Sequence, residues 1–160
     1  MRIGIGIDTH ALASGYKLVL GGVHIKHNCG LVGHSDADVL CHAIMDALLG
    51  AARIVGAHDI GELFPDTNPS YKGASSIELL AKVGAILCDN SMRVCDLDSV
   101  IIAQRPRLSI YREAMRTNIA AALGIQIGQV GLKATTTEHL GPEGREEGIT
   151  AHCVALVESE

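Results

Sequence analysis

The sequence predicts an α/β or α+β fold in which a sheet carries helices on one face, and three observations lead there. Stretches rich in β-branched residues alternate along the chain with stretches of helical apolar spacing. Turn residues mark nearly every change of character, and no repeat, linker or low-complexity segment intervenes. The chain has 160 residues, 48% of them apolar, enough to bury a sizeable core in one domain spanning residues 1–160.

The elements follow in order. "RIGIGID" is β-branched and glycine-spaced and reads as a buried first strand. "YKLVLGGVHIKH" reads as a hairpin turning at Gly21 and Gly22. Ser35 is placed to cap a helix from Asp36 to about Ala52, with acids in the first turn to suit the helix dipole. Turn residues fill the stretch from Gly56 to Gly73, which reads as loop. Ser75 and Glu78 make a capping box for a second helix ending near Asp89. "MRVCDLDSVIIAQ" reads as a strand closed by Pro106, and a third helix runs from about Ile110 to Leu123, ended by Gly124. "QVGLKATTT" and "GITAHCVALVE" are the last strands, joined by "EHLGPEGREEG". Four long strands and a small hairpin result.

Composition removes several classes of function. A net charge of −5 offers no electrostatic footprint for nucleic acid, and the absence of Trp, with one Phe and three Tyr, leaves few platforms for stacking bases. The five cysteines, Cys29, Cys41, Cys88, Cys95 and Cys153, are odd in number and form no CxxC pair, which points to a reducing compartment. No basic segment leads into an apolar h-region, and the most apolar stretch, residues 39–57, is broken by His42, Asp46 and Arg53. The expected location is the cytoplasm, or the lumen of a plastid-type organelle after removal of a transit peptide. Neither a membrane nor a nucleic acid is an expected partner.

Asp8 and His10 stand at the end of the first strand, where residues two apart point to one side. Asp38, His42 and Asp46 share one row of the first helix by their four-residue spacing. Asp8, His10 and His42 together would make an Asp-His-His set with an open fourth position, suited to a zinc ion that polarises a substrate oxygen. The plainer reading has Asp8 capping a turn, His10 in a loop and His42 as a partly buried polar residue, and spacing alone leaves both open. "GHSDAD" is explained equally by helix capping, and "KATTTEH" by the strand preference of threonine or by hydroxyls that hold phosphate oxygens. In "GPEGREEG", Arg145 stands among glutamates as on a solvated loop, whereas Arg105, Arg107 and Arg112 form a basic cluster able to meet an anion.

The ordered set D-x-H, HSDxD, H-x-x-x-D-A-L-L-G, D-I-G-x-L-F-P-D-T, K-G-A-x-S, I-I-A-Q-x-P, K-A-T-T-T-E and G-R-x-E-G-I covers nearly the whole chain. In this it closely resembles the 2-C-methyl-D-erythritol 2,4-cyclodiphosphate synthase family of the non-mevalonate isoprenoid pathway. The resemblance implies an α+β subunit, here a mixed four-stranded sheet with helices packed on one face plus the small hairpin. It further implies a homotrimer with a sheet-lined centre and active sites between subunits. The reaction implied converts 4-diphosphocytidyl-2-C-methyl-D-erythritol 2-phosphate to the cyclic diphosphate with release of CMP, which makes the enzyme a phosphorus–oxygen lyase.

Residue by residue, the resemblance assigns Asp8, His10 and His42 to Zn²⁺, and Glu138 to a second cation, Mg²⁺ or Mn²⁺, shared with the substrate phosphates. His34 and Thr136 match catalytic positions, with Thr9 and Ser35 beside the substrate. Asp59, Ile60, Gly61, Phe64, Pro65, Asp66, Thr67 and Asn68 match contacts to the methylerythritol phosphate end. Ala103, Gln104, Arg105, Pro106, Arg107, Leu108 and Ser109, with Thr135, Thr136, Thr137 and Glu138, match the cytidine diphosphate pocket, where backbone groups read the base. Ile7 and Pro142 replace aromatics of the family's central cavity, with Arg145 beside them, and "ARIVGAHDIG" carries a few extra residues including His58. Asp46 is expected to steer a ligand or a helix contact.

Two rival readings use the same residues. A zinc hydrolase of phosphate esters would activate water with Asp38 or Asp46 as base. A binding module with a structural zinc would need a fourth ligand, for which His139 and His152 are the distant candidates.

Overall fold

The structure is a computed structural model and describes residues 1–65 and 67–159. Its strands are β1 (Arg2–Ser14), β2 (Leu18–Leu20), β3 (Val23–Ile25), β4 (Cys29–Leu31), β5 (Met92–Ile102), β6 (Val130–Thr135) and β7 (Gly148–Ser159). Its helices are α1 (Val39–Ala52), α2 (Ile60–Leu63), α3 (Ser76–Asp89), α4 (Arg112–Leu123) and α5 (Gly141–Gly144). The main sheet has the order β4-β1-β7-β5-β6. It is mixed: β1 runs antiparallel to β4 and β7, β7 antiparallel to β5, and only β5 and β6 are parallel. Because parallel neighbours need a long crossover, α4 lies between them in the chain. The expected α+β class is met.

Two glycines on β1 decide how close the helical layer comes. A Cβ on Gly4 would stand 2.0 Å from the Ala47 carbonyl oxygen of α1, and one on Gly6 2.0 Å from the Ala43 carbonyl oxygen. No side chain fits there, so the backbone of α1 lies directly on β1. The helix also contacts β7 and is covered by α3, which in turn meets α4. Leu40, Ile44, Met45, Leu48 and Leu49 of α1 are fully buried as a result, and His42 and Asp46 are the polar residues within an otherwise apolar helix. The helix needs no strong amphipathic stripe, being surrounded on nearly every side.

The close approach reverses the expected burial of β1. "RIGIGID" is buried through its glycines, whereas Ile3, Ile5 and Ile7 point away from the helices and are 66%, 64% and 53% exposed. Val154 of β7 lies opposite Ile5, and His152 opposite Ile7, on that outer face. On β5 a bulge between Val94 and Asp96 shifts the alternation by one residue. Leu97, Ser99 and Ile101 then face the helices.

Other boundaries also differ from expectation. The main sheet has five strands, not four, because Cys29–Leu31 pairs with the far end of β1 through Leu12↔Leu31 and Ser14↔Cys29. Helix α1 begins at Val39, not Asp36, and its cap is Asp38, whose side chain accepts from the Cys41 N–H, rather than Ser35. Ala37 has φ +55°, a left-handed value that keeps Ser35–Ala37 outside the helix, so there are no acids in its first turn. Ser75 caps α3 by position without a side-chain bond. The Gly56–Gly73 stretch is largely irregular, with the single turns α2 and Pro69–Tyr71 inside it. The hairpin is as expected, with Gly21 and Gly22 at φ +55° and +69° between β2 and β3. All five cysteines are free thiols. Among the described residues no helix is long and apolar enough to cross a membrane.

Candidate active site

Asp8 and His10 lie on the helix-facing side of β1, just past Gly6, while His42 precedes the Ala43 that Gly6 admits. The same glycine contact that seats α1 therefore brings three side chains to one point. Asp8 Oδ2 lies 2.9 Å from His42 Nδ1 and 3.0 Å from His10 Nε2, and the two ring nitrogens are 3.2 Å apart. Ligand atoms around a tetrahedral zinc, each about 2.0–2.1 Å from the ion, stand roughly 3.3 Å from one another. The three atoms are already at nearly that spacing.

Their outer partners set which ring nitrogens face inward. The Val32 carbonyl accepts from His10 Nδ1 at 2.8 Å, which turns Nε2 toward Asp8. His42 Nε2 lies 3.0 Å from Ser76 Oγ and 3.2 Å from Ser35 Oγ, leaving Nδ1 to the same point. Burial works against a charge on Asp8, yet hydrogen bonds and charge from His10 and His42 hold its carboxyl well below the ordinary range. A carboxylate and two imidazole nitrogens converging within 3.2 Å form a set of donor atoms that a cation satisfies once it displaces the protons they share. Among the described residues, this is the group of three or more His, Cys, Asp or Glu side chains that could hold a metal.

The cluster lines a pocket of about 400 Å³ with His34, Ser35, Met45, Ile60, Gly61, Phe64, Pro65 and Tyr71. His34 Nε2 is buried there with no hydrogen-bond partner among the described residues, a polar atom left for a ligand. A larger pocket of about 830 Å³ opens elsewhere, lined by Ala103 to Ser109, Arg112, Lys133, Thr135, Thr136 and His139. No Phe, Tyr or Trp lines it, and Arg105, Arg107 and Arg112 supply positive charge. The two share no residue. Asp8, Ala151, Ile101 and Ala134 form one row across the sheet, so three strand spacings, roughly 14 Å, separate Asp8 from β6.

The comparisons bear on the whole chain. Residues 1–158 match the model of the YgbB family. A Pelotomaculum thermopropionicum protein named 2-C-methyl-D-erythritol 2,4-cyclodiphosphate synthase is 57% identical over 157 residues, covering 98% of this chain and 95% of that protein. One of the same name from Thermosynechococcus vestitus is 52% identical over 99% of this chain and 97% of its own length. This chain belongs to that synthase family. Among solved structures, the bifunctional IspDF of Campylobacter jejuni matches with a TM-score of 0.93 at 39% identity, over 99% of this chain and 42% of that one. The IspF–CDP complex of Plasmodium falciparum matches with a TM-score of 0.84 at 32% identity, over 99% and 96%. The relatives' names favour the synthase over the hydrolase.

Measured against the synthase assignment, the structure gathers many of the expected residues and scatters others. Asp8, His10, His34, Ser35, His42, Ile60, Gly61, Phe64 and Pro65 share the smaller pocket, and Ala103–Ser109 with Thr135 and Thr136 the larger. Thr9, Asp59, Thr67, Asn68, Thr137, Glu138, Pro142 and Arg145 line neither, and Asp66 lies outside the described residues. Thr9 bonds Thr150 across the outer face. Asp59 caps α2 through the Glu62 N–H, and Asn68 caps the Pro69–Tyr71 turn. Arg145 is held by Glu147 at 2.8 and 3.1 Å. Glu138, in a left-handed conformation, accepts from Thr136 Oγ1.

Of the possible bases, Asp38 is fully buried under the hairpin, and Asp46 accepts the Ile60 N–H at 2.9 Å, tying α1 to α2. Burial, with the charges of Asp59 and Asp8, raises the Asp46 carboxyl above its usual range. His139 bonds Gln104 in the larger pocket, and His152 sits on the outer sheet face, so neither joins the three-ligand cluster. Reading the sequence missed Val32 and Ser76, and also His27, Asn28 and Met115 of the larger pocket. Val32 acts through its backbone, which carries no residue-type signal. Ser76 was visible only as the last residue of K-G-A-x-S.

Proposed function

We propose that residues 1–160 act as one cyclodiphosphate synthase domain. It converts 4-diphosphocytidyl-2-C-methyl-D-erythritol 2-phosphate to 2-C-methyl-D-erythritol 2,4-cyclodiphosphate and CMP. In this phosphorus–oxygen lyase reaction an oxygen of the substrate's 2-phosphate forms a bond to the β-phosphorus. The bond from that phosphorus to the bridging oxygen breaks, and CMP leaves with the electron pair; no water is consumed. The observation that carries the reading is the convergence of Asp8, His10 and His42 in a pocket, in a chain matched end to end by synthases.

Asp8, His10 and His42 would hold Zn²⁺. Glu138, a single exposed carboxylate, suits Mg²⁺ or Mn²⁺ shared mostly with phosphate oxygens and water. Such cations neutralise phosphate charge and polarise the phosphorus under attack. The protein's own part is mainly positioning, because phosphoryl transfer needs alignment and charge more than covalent help. The unpaired His34 Nε2 is placed to bond a phosphate oxygen, and Thr136 to orient the diphosphate from the larger pocket. Ile60, Gly61, Phe64 and Pro65 would enclose the methylerythritol end, while backbone groups of Ala103–Ser109 take the cytosine.

The separation of the pockets across the sheet supports an active site completed by a neighbouring copy, in a homotrimer. The bare row of Ile3, Ile5 and Ile7 with Val154 supports a sheet-lined centre. A cytoplasmic setting fits five unpaired cysteines.

The test is ³¹P NMR of the protein with substrate, Zn²⁺ and Mg²⁺, with His42→Ala alongside. Paired cyclic-diphosphate signals and CMP from the parent, lost in the variant, are the expected result. Inorganic phosphate without cyclic product would instead show a hydrolase, and tightly held zinc with no turnover a binding module.

A further inference from the structure

We propose that Asp36 and Ser76 are positioning residues that fix the ring of His42 for its metal through a directed chain of hydrogen bonds. The inference rests on the metal-site reading of Asp8, His10 and His42. Ser76 is completely buried at the first turn of α3, and its Oγ touches both partners: it lies 3.0 Å from His42 Nε2 and in a short contact with Asp36 Oδ1. A carboxylate only accepts, so the Ser76 hydroxyl hydrogen points to Asp36. The free lone pairs of Ser76 Oγ then face His42 and accept from Nε2–H. Nε2 then keeps its hydrogen, and Nδ1, aimed at Asp8, is the nitrogen that a bound metal would take.

Asp36 is itself held from two sides. Its Oδ2 accepts the Ser76 N–H at 3.0 Å, and its Oδ1 accepts the Asp38 N–H at 3.3 Å. Asp36 N–H donates to the Ala74 carbonyl at 3.0 Å, locking the loop before α1 to the start of α3. The carboxylate is thus fixed at one remove from the ring, where it favours an Nε2–H donor and enriches the electron density of the ligating nitrogen. Without this chain, the alternative tautomer would place a hydrogen on Nδ1, pointing at Asp8 Oδ2 only 2.9 Å away. That hydrogen would occupy the metal's position. Ser35 Oγ, at 3.2 Å from the same Nε2 and 3.4 Å from Ser76 Oγ, also accepts the Ala37 N–H, and among the described residues no carboxylate bonds it.

The experiment titrates Co²⁺ into the metal-free full chain and follows its visible absorption in four proteins: parent, Ser76→Ala, Asp36→Asn and the double variant. Ser76→Ala is expected to weaken Co²⁺ binding by roughly 10–100-fold. Asp36→Asn should weaken it less, and the double variant should bind no worse than Ser76→Ala, since both act along one chain. In the Zn²⁺-loaded protein, NMR should find a slowly exchanging His42 Nε2–H that Ser76→Ala loses to solvent exchange, a signature a merely structural residue would not move. Should Ser76→Ala fail to fold, Asp36→Asn alone carries the comparison. Parent-like Co²⁺ affinity in Ser76→Ala, or losses that simply add in the double variant, overturns the proposal. A parent that binds no Co²⁺ overturns the metal reading first.

Discussion

Asp38 and His42 lie one turn apart on the same helical row, and their surroundings give them different work. The carboxylate of Asp38 accepts from Gly21 N at 3.0 Å, Gly22 N at 2.7 Å and Cys41 N at 3.1 Å, so it fastens the hairpin to α1. Its place at the helix start was hidden in the sequence, because the same i, i+4 spacing also reads as a row of ligands or as a general base. Only the left-handed Ala37 beside it and the Gly21–Gly22 turn of the hairpin, distant in the chain, tell the roles apart. Asp38→Asn turns an amide donor toward one of those N–H groups, and a loss of about 1–3 kcal/mol in unfolding free energy is expected. Burial, outweighing the N–H groups of Gly22, Cys41 and Gly21, holds the Asp38 carboxyl above its ordinary range. A raised acid stabilises the fold fully below its unfolded pKa and loses that contribution as pH climbs through the folded one. The deficit of the variant should therefore be widest in acid and narrow as pH rises, which denaturant unfolding across a pH series measures.

At the scale of elements, the contact of α1 with β1 governs the site. Gly6→Ala would drive a methyl group into the Ala43 carbonyl, and overpacking of this kind costs about 1–3 kcal/mol or more. Lifting α1 also separates His42 from Asp8 and His10. Thermal unfolding should show the lost stability, and Co²⁺ titration a weaker site even where the fold survives. The sequence made the helices, the long strands and the hairpin legible through period and turn chemistry. It did not reveal β4, whose three residues are too few to show alternation, nor the outward direction of Ile3, Ile5 and Ile7. A strand of alternating Ile and Gly normally buries its isoleucines. Here a helix backbone fills the glycine side, and that information lies in α1 rather than in the strand. The convergence of Asp8, His10 and His42 was legible because two short-range pairs met a known ordered pattern. The irregular Gly56–Gly73 stretch was legible only as loop.

Over the whole molecule, the two pockets stand at different parts of one sheet, with a bare apolar face beside them. A single copy presents the candidate metal ligands in one place and the basic pocket, free of Phe, Tyr and Trp, in another. In the proposed trimer each catalytic centre draws these halves from different chains, a head-to-tail arrangement that closes into a ring. Two dead proteins can then make a living one. His42→Ala spoils only the metal half and Arg107→Glu only the nucleotide half, so each is inactive alone. Co-expressed in equal amounts they assort at random, and roughly a quarter of the interfaces receive both intact halves. Activity returning on co-expression, beside none from either parent, would be intragenic complementation written into the distance between two strands. A mixture as silent as its components would mean that each chain keeps its own centre.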